Sequence, residues 1–158
     1  QVCDELRGEF DVILIDSPAG IEQGFKNALA PADQVLVVIN PEVSSVRDAD
    51  RVIGLVESQG KGPAMLIINR LVPARVKRQE MLSADDIVEI LSTEIVGIVP
   101  EDESILASSN RGQPVSFTGK SPAADAYRDI ARRLTGENVP LKVPQDNSSI
   151  WSRLFGRS

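Results

Sequence analysis

Four short, nearly continuous aliphatic runs constrain the fold of this 158-residue chain more than any other feature. They lie at residues 12–15, 35–39, 65–68 and 95–99 and consist almost wholly of Val, Ile, Leu and Met. Strands with one wet face alternate apolar and polar residues, whereas strands covered on both faces are apolar throughout. The runs therefore predict four strands of a parallel sheet.

Helical patterns separate and follow these runs. They predict helices at residues 44–58, 83–91, 103–109 and 122–134. The last helix has Ser121 as its N-cap and Pro122 at its first position. Alternating strands and helices with short connections place helices on both faces of the sheet. The predicted fold class is therefore α/β, with three layers and a mainly parallel sheet.

Composition excludes several classes of function. The chain has no His and one Cys, Cys3, so its residues provide no Ser-His-Asp triad, no His-based metal site and no internal disulfide. Asp and Glu number 23 against 17 Lys and Arg, giving a net charge of -6. Because binding to a phosphate backbone requires a basic face, we expect no nucleic acid partner. We also expect no signal peptide and no membrane-spanning segment.

Polar residues follow each predicted strand at its carboxyl end, where open α/β sheets bind their ligands. They lie at positions 16–20, 40–42, 69–70 and 100–102. An Asp that closes a hydrophobic strand, as Asp16 does, is the Walker B arrangement, in which the carboxylate holds Mg²⁺. The backbone of Gly20 would then be free to approach a terminal phosphate. The alternative for residues 16–18 is the start of a helix, with Ser17 as its N-cap and Pro18 at its first position. The alternative for Asn69 is a turn residue at the end of its strand, without a ligand.

The sequence Asp-Ser-Pro-Ala-Gly-Ile-Glu at positions 16–22 closely resembles switch II of the MinD family, the septum-site-determining ATPases of the deviant-Walker-A P-loop branch. The resemblance continues in order at 40–51, 75–83, 99–102, 107–115 and 151–156. It implies a P-loop NTPase fold, ATP and Mg²⁺ as cofactors, and an ATP-dependent homodimer. It also implies MinC- and MinE-type regulators as partners. The expected location is cytoplasmic, peripheral on the inner face of a bacterial plasma membrane or on the equivalent plastid membrane.

The resemblance also implies roles for individual residues. Asp16 is expected to hold Mg²⁺, and the Gly20 backbone is expected to meet the γ-phosphate. The residues expected to bind the nucleotide are Pro18, Asn69, Arg70, Pro100, Glu101 and Asp102. The residues expected at the dimer or partner interface are Glu42, Asp48 and Asp50, with Asp48 facing a lysine of the opposite subunit. The alternative for this acidic run is a solvated helix face with Ser44 or Ser45 as N-cap.

The phosphate loop of the family is not found among these residues. Gly119-Lys120-Ser121 is a candidate, but a Walker A motif needs Gly where Pro114 stands, and Pro122 follows directly. We therefore expect the family's domain to be incomplete at the amino terminus here. Negligible ATP hydrolysis by this chain alone is the consequence.

The end of the chain is predicted to be a membrane-binding helix. Residues 1–136 are expected to form the carboxy-terminal part of the ATPase domain, 137–148 an extended linker and 149–158 the helix. On this helix one apolar arc lies opposite two arginines, formed by Ile150, Trp151, Leu154 and Phe155 against Arg153 and Arg157. Such a pattern is typical of a helix at an anionic membrane surface. The alternative is a helix docked on the domain's own core.

Two other functions remain open from the sequence. A ParA- or Mrp-type ATPase would partition DNA or carry an iron–sulfur cluster, but the net charge of -6, the tail and the lone Cys3 disfavour it. A non-enzymatic α/β adaptor would bind a membrane and a partner without hydrolysing ATP.

Overall fold

The computed structural model describes residues 2–18 and 20–145 of the chain. Within these residues, three parallel strands form a sheet in the order β1-β2-β3: β1 is Leu36–Ile39, β2 is Met65–Leu71 and β3 is Glu94–Pro100. Met65 aligns with Leu36 on one side and with Glu94 on the other. Three of the four predicted strands and their parallel arrangement are confirmed.

The predicted strand at residues 12–15 is wrong, because this segment has no strand conformation. Val12, Leu14 and Ile15 are exposed there, Leu14 to 81%. A strand persists only when a neighbouring strand accepts and donates its backbone hydrogen bonds. No strand of the described residues pairs with this segment. The run is apolar enough for a buried strand, but no neighbouring strand is present among those residues to pair with it.

The described residues form eight helices. They are α1 Val2–Leu6, α2 Gln23–Leu29, α3 Val43–Ser58, α4 Pro73–Lys77, α5 Ala84–Leu91, α6 Glu103–Ser109, α7 Val115–Thr118 and α8 Pro122–Leu134. Of these, α3, α4 and α5 connect the strands. The four helices predicted between residues 44 and 134 are all present, and α6 and α8 have the predicted bounds. Ser83 caps α5, since its hydroxyl accepts a hydrogen bond from the Asp86 N–H at 3.1 Å. The short helices α1, α2, α4 and α7 were not predicted.

Two helix starts differ from the alternatives raised by the sequence. The N-cap of α3 is Glu42, so Ser44 and Ser45 both lie inside the helix. The first helix after the Asp16 segment is α2, which begins at Gln23 with Glu22 as its N-cap. A helix capped by Ser17 is therefore not observed.

Apolar side chains cover both faces of the sheet. On one face Leu66 and Ile68 of β2 pack with residues of α3 and α5, among them Ile53 and Ile87. On the opposite face Val99 of β3 packs with Ala123 and Ile130 of α8. Helices on both faces make three layers, which confirms the predicted architecture.

Helix α8 approaches β3 closely because residue 97 is glycine. A Cβ atom at Gly97 would collide with the side chain of Ile130. The small residue therefore sets the distance between the helix and the sheet at this crossing.

The end of the domain is described as far as residue 145. From residue 137 to residue 145 the chain has neither helix nor strand. The residues predicted to form the membrane helix lie outside the described residues: Ile150, Trp151, Arg153, Leu154, Phe155 and Arg157. None of the helices described is long and apolar enough to cross a membrane.

Candidate nucleotide site

The carboxyl ends of the three strands bring charged residues to one rim of the sheet. Arg70, near the end of β2, donates a hydrogen bond from Nη2 to Oε1 of Glu101, just after β3, at 2.8 Å. This hydrogen bond and the charge of Glu101 raise the pKa of Arg70 above its ordinary value, and the charge of Glu42, just after β1, acts in the same direction. Residues at the carboxyl ends of three different strands therefore share one electrostatic environment.

A β-bulge places Asn69 and Arg70 on this rim. Ile68 pairs with Ile98 and Leu71 pairs with Pro100, so β2 carries one extra residue between these two pairs. Arg70 has a φ of 58°, in the left-handed region that costs a residue with a Cβ roughly 1–2 kcal/mol. Bulges are common beside active sites because they re-aim side chains. The apolar pattern of β2 did not reveal the bulge, although the polar pair that interrupts it was a signal.

Asn69 has the chemistry expected of a residue that binds a base. Its side chain is half-buried, and no group within the described residues forms a hydrogen bond with its amide. An amide both donates and accepts, which suits the edge of a nucleobase. The donor and acceptor of Asn69 are thus available to a ligand at the rim.

Asp102 has a structural role that the sequence analysis missed. Its Oδ1 accepts a hydrogen bond from the Ser104 N–H of α6 at 2.9 Å, and its Oδ2 accepts one from the Ala123 N–H of α8 at 3.4 Å. Burial is the strongest single influence and raises the pKa of Asp102, but hydrogen bonds from Ser104, Ser121 and Ala123 outweigh it, so the pKa lies below its ordinary value. An Asp directly before a predicted helix was the available signal.

Ser121 caps α8 as predicted. Its Oγ accepts a hydrogen bond from the Ala124 N–H at 3.3 Å and a second one from the Ser104 hydroxyl at 3.1 Å. Gly119, Lys120 and Ser121 therefore form a helix entry and not a phosphate loop. Together with Asp102, Ser121 fixes the start of α8 against the start of α6.

The acidic residues of α3 face solvent. The helix turns Val46, Ala49, Ile53 and Val56 toward the core. Glu42, Asp48 and Asp50 are exposed. Asp48 lies 3.7 Å from Arg51, and an ion pair this exposed contributes roughly 0–1 kcal/mol. An interface and a solvated face both require this exposure, so the two interpretations of the acidic run stay open.

The Asp16 segment lies outside the sheet. Asp16, Ser17 and Pro18 are exposed, and the Ser17 hydroxyl donates a hydrogen bond to the Pro18 carbonyl oxygen at 3.3 Å. Gly20 has a φ of 92°, which glycine tolerates far better than other residues. Among the described residues, no hydrogen bond or ion pair joins Asp16 to the rim formed by Arg70 and Glu101. The structure therefore brings three of the four predicted strand ends together and leaves the fourth apart.

Asp16 fits a magnesium ion that is shared with a nucleotide. Mg²⁺ keeps several waters and is usually held by one or two carboxylates together with substrate phosphates. Asp16 offers one exposed carboxylate. Within residues 2–18 and 20–145, no group of three or more His, Cys, Asp or Glu is placed to hold a metal ion. The donor set thus suits a metal–phosphate site and not a metal centre built from protein alone.

The chain matches a known family over most of its length. The profile of the NifH/frxC family, described as 4Fe-4S iron sulfur cluster binding proteins, matches residues 6–150. The septum site-determining protein MinD of Bacillus subtilis (strain 168) is 46% identical over 148 residues, which cover 93% of this chain and 55% of that protein. The chain therefore spans little more than half the length of this relative.

Solved structures of MinD proteins also resemble this chain over most of its length. MinD in a MinC:MinD cell division protein complex from Aquifex aeolicus is 53% identical with a TM-score of 0.84, over 90% of this chain and 59% of that one. The septum site-determining protein MinD complexed with Mg-ADP from Pyrococcus horikoshii OT3 is 25% identical with a TM-score of 0.74, over 87% of this chain and 58% of that one. These similarities confirm the predicted fold class of a P-loop NTPase.

Proposed function

The chain belongs to the MinD group of the NifH/frxC family, and from this we propose that it works within an ATPase that cycles on and off a membrane to place the cell-division septum. The observation that carries the proposal is the rim at the carboxyl ends of the strands. There a bulge presents Asn69 beside the Arg70–Glu101 pair. A site for a base and a ribose at this edge is what an open α/β sheet provides.

In this proposal, the nucleotide binds to the rim at the strand ends and to the Asp16 segment. The Asn69 amide binds the base edge, and Arg70, Pro100 and Glu101 border the base and ribose. Pro18 contacts the nucleotide from the Asp16 segment. Asp16 would hold Mg²⁺, which would supply positive charge to neutralise the phosphates, and the backbone N–H of Gly20 would approach the γ-phosphate. The Mg-ADP bound to the Pyrococcus relative supports this choice of ligand. Asp102 acts indirectly, by holding α6 and α8 in place below the rim.

The phosphates need a cradle that these 158 residues do not contain. Phosphoryl transfer depends on backbone N–H groups and lysines that surround the β- and γ-phosphates. We therefore expect the chain by itself to hydrolyse ATP negligibly, and expect turnover only in the protein that also carries the phosphate loop.

Helix α3 is the proposed contact for a second subunit and for regulators. ATP would be held between two copies, with Glu42, Asp48 and Asp50 at the interface. The exposure of these three carboxylates leaves them accessible to such a contact. The MinC:MinD complex of the Aquifex relative supports a MinC-type partner. A MinE-type regulator is proposed on the family resemblance alone.

The proposed membrane anchor is the amphipathic segment at residues 149–158. Its apolar arc contains Trp151 and Phe155, and a buried aromatic side chain removes roughly 150–250 Å² from water. Arg153 and Arg157 would add about 1 kcal/mol each near anionic headgroups. So short a helix binds weakly as one copy, and two copies on a dimer raise the effective concentration of the second. ATP-dependent dimerisation would thus control attachment to the inner face of the plasma membrane.

We do not propose an iron–sulfur cluster, although the description of the matching family names one. A [4Fe–4S] cluster is held by four cysteine thiolates. The chain has one cysteine, so two copies of these 158 residues would provide two.

Sedimentation of the full-length protein with anionic vesicles tests the proposed cycle. We expect binding with Mg-ATP, little binding with Mg-ADP, and loss of binding in Phe155→Glu. Phe117→Glu is the matched control, because Phe117 is 86% exposed in the domain and lies outside the tail. Equal binding with both nucleotides would contradict the cycle. Full binding by Phe155→Glu would show that the tail is not the anchor.

A further inference from the structure

The segment at residues 139–144, which we call the strap, is bound to the domain. The guanidinium of Arg133, on α8, donates to three carbonyl oxygens. Nε donates to Val139 at 2.8 Å, Nη1 to Val96 of β3 at 2.8 Å, and Nη2 to Pro140 at 2.7 Å. One side chain therefore ties the beginning of the strap to both a helix and a strand.

A second polar contact binds the strap further along. Nζ of Lys142 donates to Oδ2 of Asp129 at 2.7 Å. The Asp129 side chain is only 12% exposed, and its other oxygen lies 3.6 Å from Nη1 of Arg132. A carboxylate this buried requires a cationic partner. The strap supplies one of the two.

Apolar contacts continue the attachment between these polar ones. A groove of about 250 Å³ lies between the strap, α8 and the end of β3. Its apolar lining includes Leu141 and Val143 of the strap, with Ile98, Pro100, Pro122 and Ala126 of the domain. Pro100 ends β3 and also borders the proposed nucleotide site. The strap thus leaves the domain beside that site.

We propose that the strap fixes the point at which the carboxy-terminal tail leaves the domain, and that its release lengthens the tether of the tail. The six residues of the strap would add up to about 21 Å of reach if freed, at about 3.5 Å per residue. Effective concentration falls steeply with tether length. A docked strap therefore keeps the tail close to the β3 end of the domain. The part played by the tail itself rests on the proposed function, whereas the docking of the strap does not.

Limited proteolysis of the full-length protein tests the docking. Trypsin cuts after Lys142 only when the strap leaves the surface, and mass spectrometry follows that cut. We expect Asp129→Asn to speed the cut about threefold and Arg133→Met about tenfold. Asp125→Asn is the matched control, because Asp125 lies on the same helix and borders the same groove but pairs with Arg128 at 2.6 Å and forms no hydrogen bond with the strap. The control is expected to cut at the wild-type rate.

Two results would overturn the strap. One is a cut after Lys142 at the same rate in the wild type, Asp129→Asn and Arg133→Met, which means the segment is already free. The other is equal acceleration in Asp125→Asn, which means that α8 itself loosens. Vesicle binding separates this inference from the proposed function. If Lys142 is protected but the protein never binds vesicles, the docked strap is supported and the membrane cycle is contradicted. If the strap is free but the protein does bind vesicles, the membrane cycle is supported and the docked strap is contradicted.

Discussion

Replacing Asp102 with Ala should destabilise the protein, because two helices lose the acceptor for a backbone N–H. The N-cap bond to Ser104 in α6 is worth about 1–2 kcal/mol by comparison with other caps. The bond from Ala123 in α8 is long at 3.4 Å, so we assign it about 0.5 kcal/mol. We therefore expect the free energy of unfolding to fall by about 2 kcal/mol. Asp102→Asn should lose less, since it keeps one acceptor oxygen.

Urea denaturation of the full-length protein without nucleotide measures this loss. With an m-value of about 2–3 kcal/mol/M, the midpoint should fall by about 0.7–1 M at unchanged m. Glu103→Ala is the control, because Glu103 is the next acidic residue in the first turn of α6 and is not its N-cap. A change below about 0.5 kcal/mol in Asp102→Ala, together with weakened nucleotide binding, would refute the structural role. That result would indicate that Asp102 binds the nucleotide directly.

Three further predictions concern the packing, the exposed run and the effect of pH. Gly97→Ala should cost about 1–3 kcal/mol of stability in thermal melts because its methyl group meets Ile130, whereas Gly54→Ala, with open space around it, should stabilise α3 by about 0.5–1 kcal/mol. The isolated chain should aggregate through the exposed apolar residues 12–15, and a monodisperse sample by light scattering would count against this. The lowered pKa values of Asp102 and Asp129 mean that their contribution to stability is present above a pH of about 4 and is lost as the pH falls through those values. Melts between about pH 3 and pH 6 should show a flatter profile for Asp129→Asn.

The sequence predicted those parts of the fold that depend on neighbouring residues of the chain. Apolar runs located β1, β2 and β3, and a cap residue located the start of α8, because burial and capping leave marks on neighbouring residues. The run at 12–15 carried the same mark but has no strand. Pairing is a long-range property that depends on which neighbour is present. Short helices such as α4 and α7 were missed because so few residues carry too little pattern.

The candidate site was predicted in part for the same reason. The sequence placed Arg70 and Glu101 at neighbouring strand ends, and the structure joins them by an ion pair at 2.8 Å. The bulge at Asn69 was missed because it depends on the register between β2 and β3. The hydrogen bonds from α6 and α8 to Asp102 were missed because one of them comes from a helix far along the chain. The attachment of residues 139–144 to α8 was missed as well. Two prolines there indicated extended backbone, but nothing in the sequence showed what that backbone contacts.

Magnesium-dependent ATP turnover by the full-length protein with Asp16 replaced by Ala tests the central claim most directly. Loss of a group that positions charge at the transition state typically costs about 10²–10³ in rate. We expect a loss of that size in Asp16→Ala and near-normal turnover in Asp11→Ala, the exposed control five residues earlier. Unchanged turnover in Asp16→Ala would remove this residue from the nucleotide site and contradict the proposed role of its carboxylate in holding Mg²⁺.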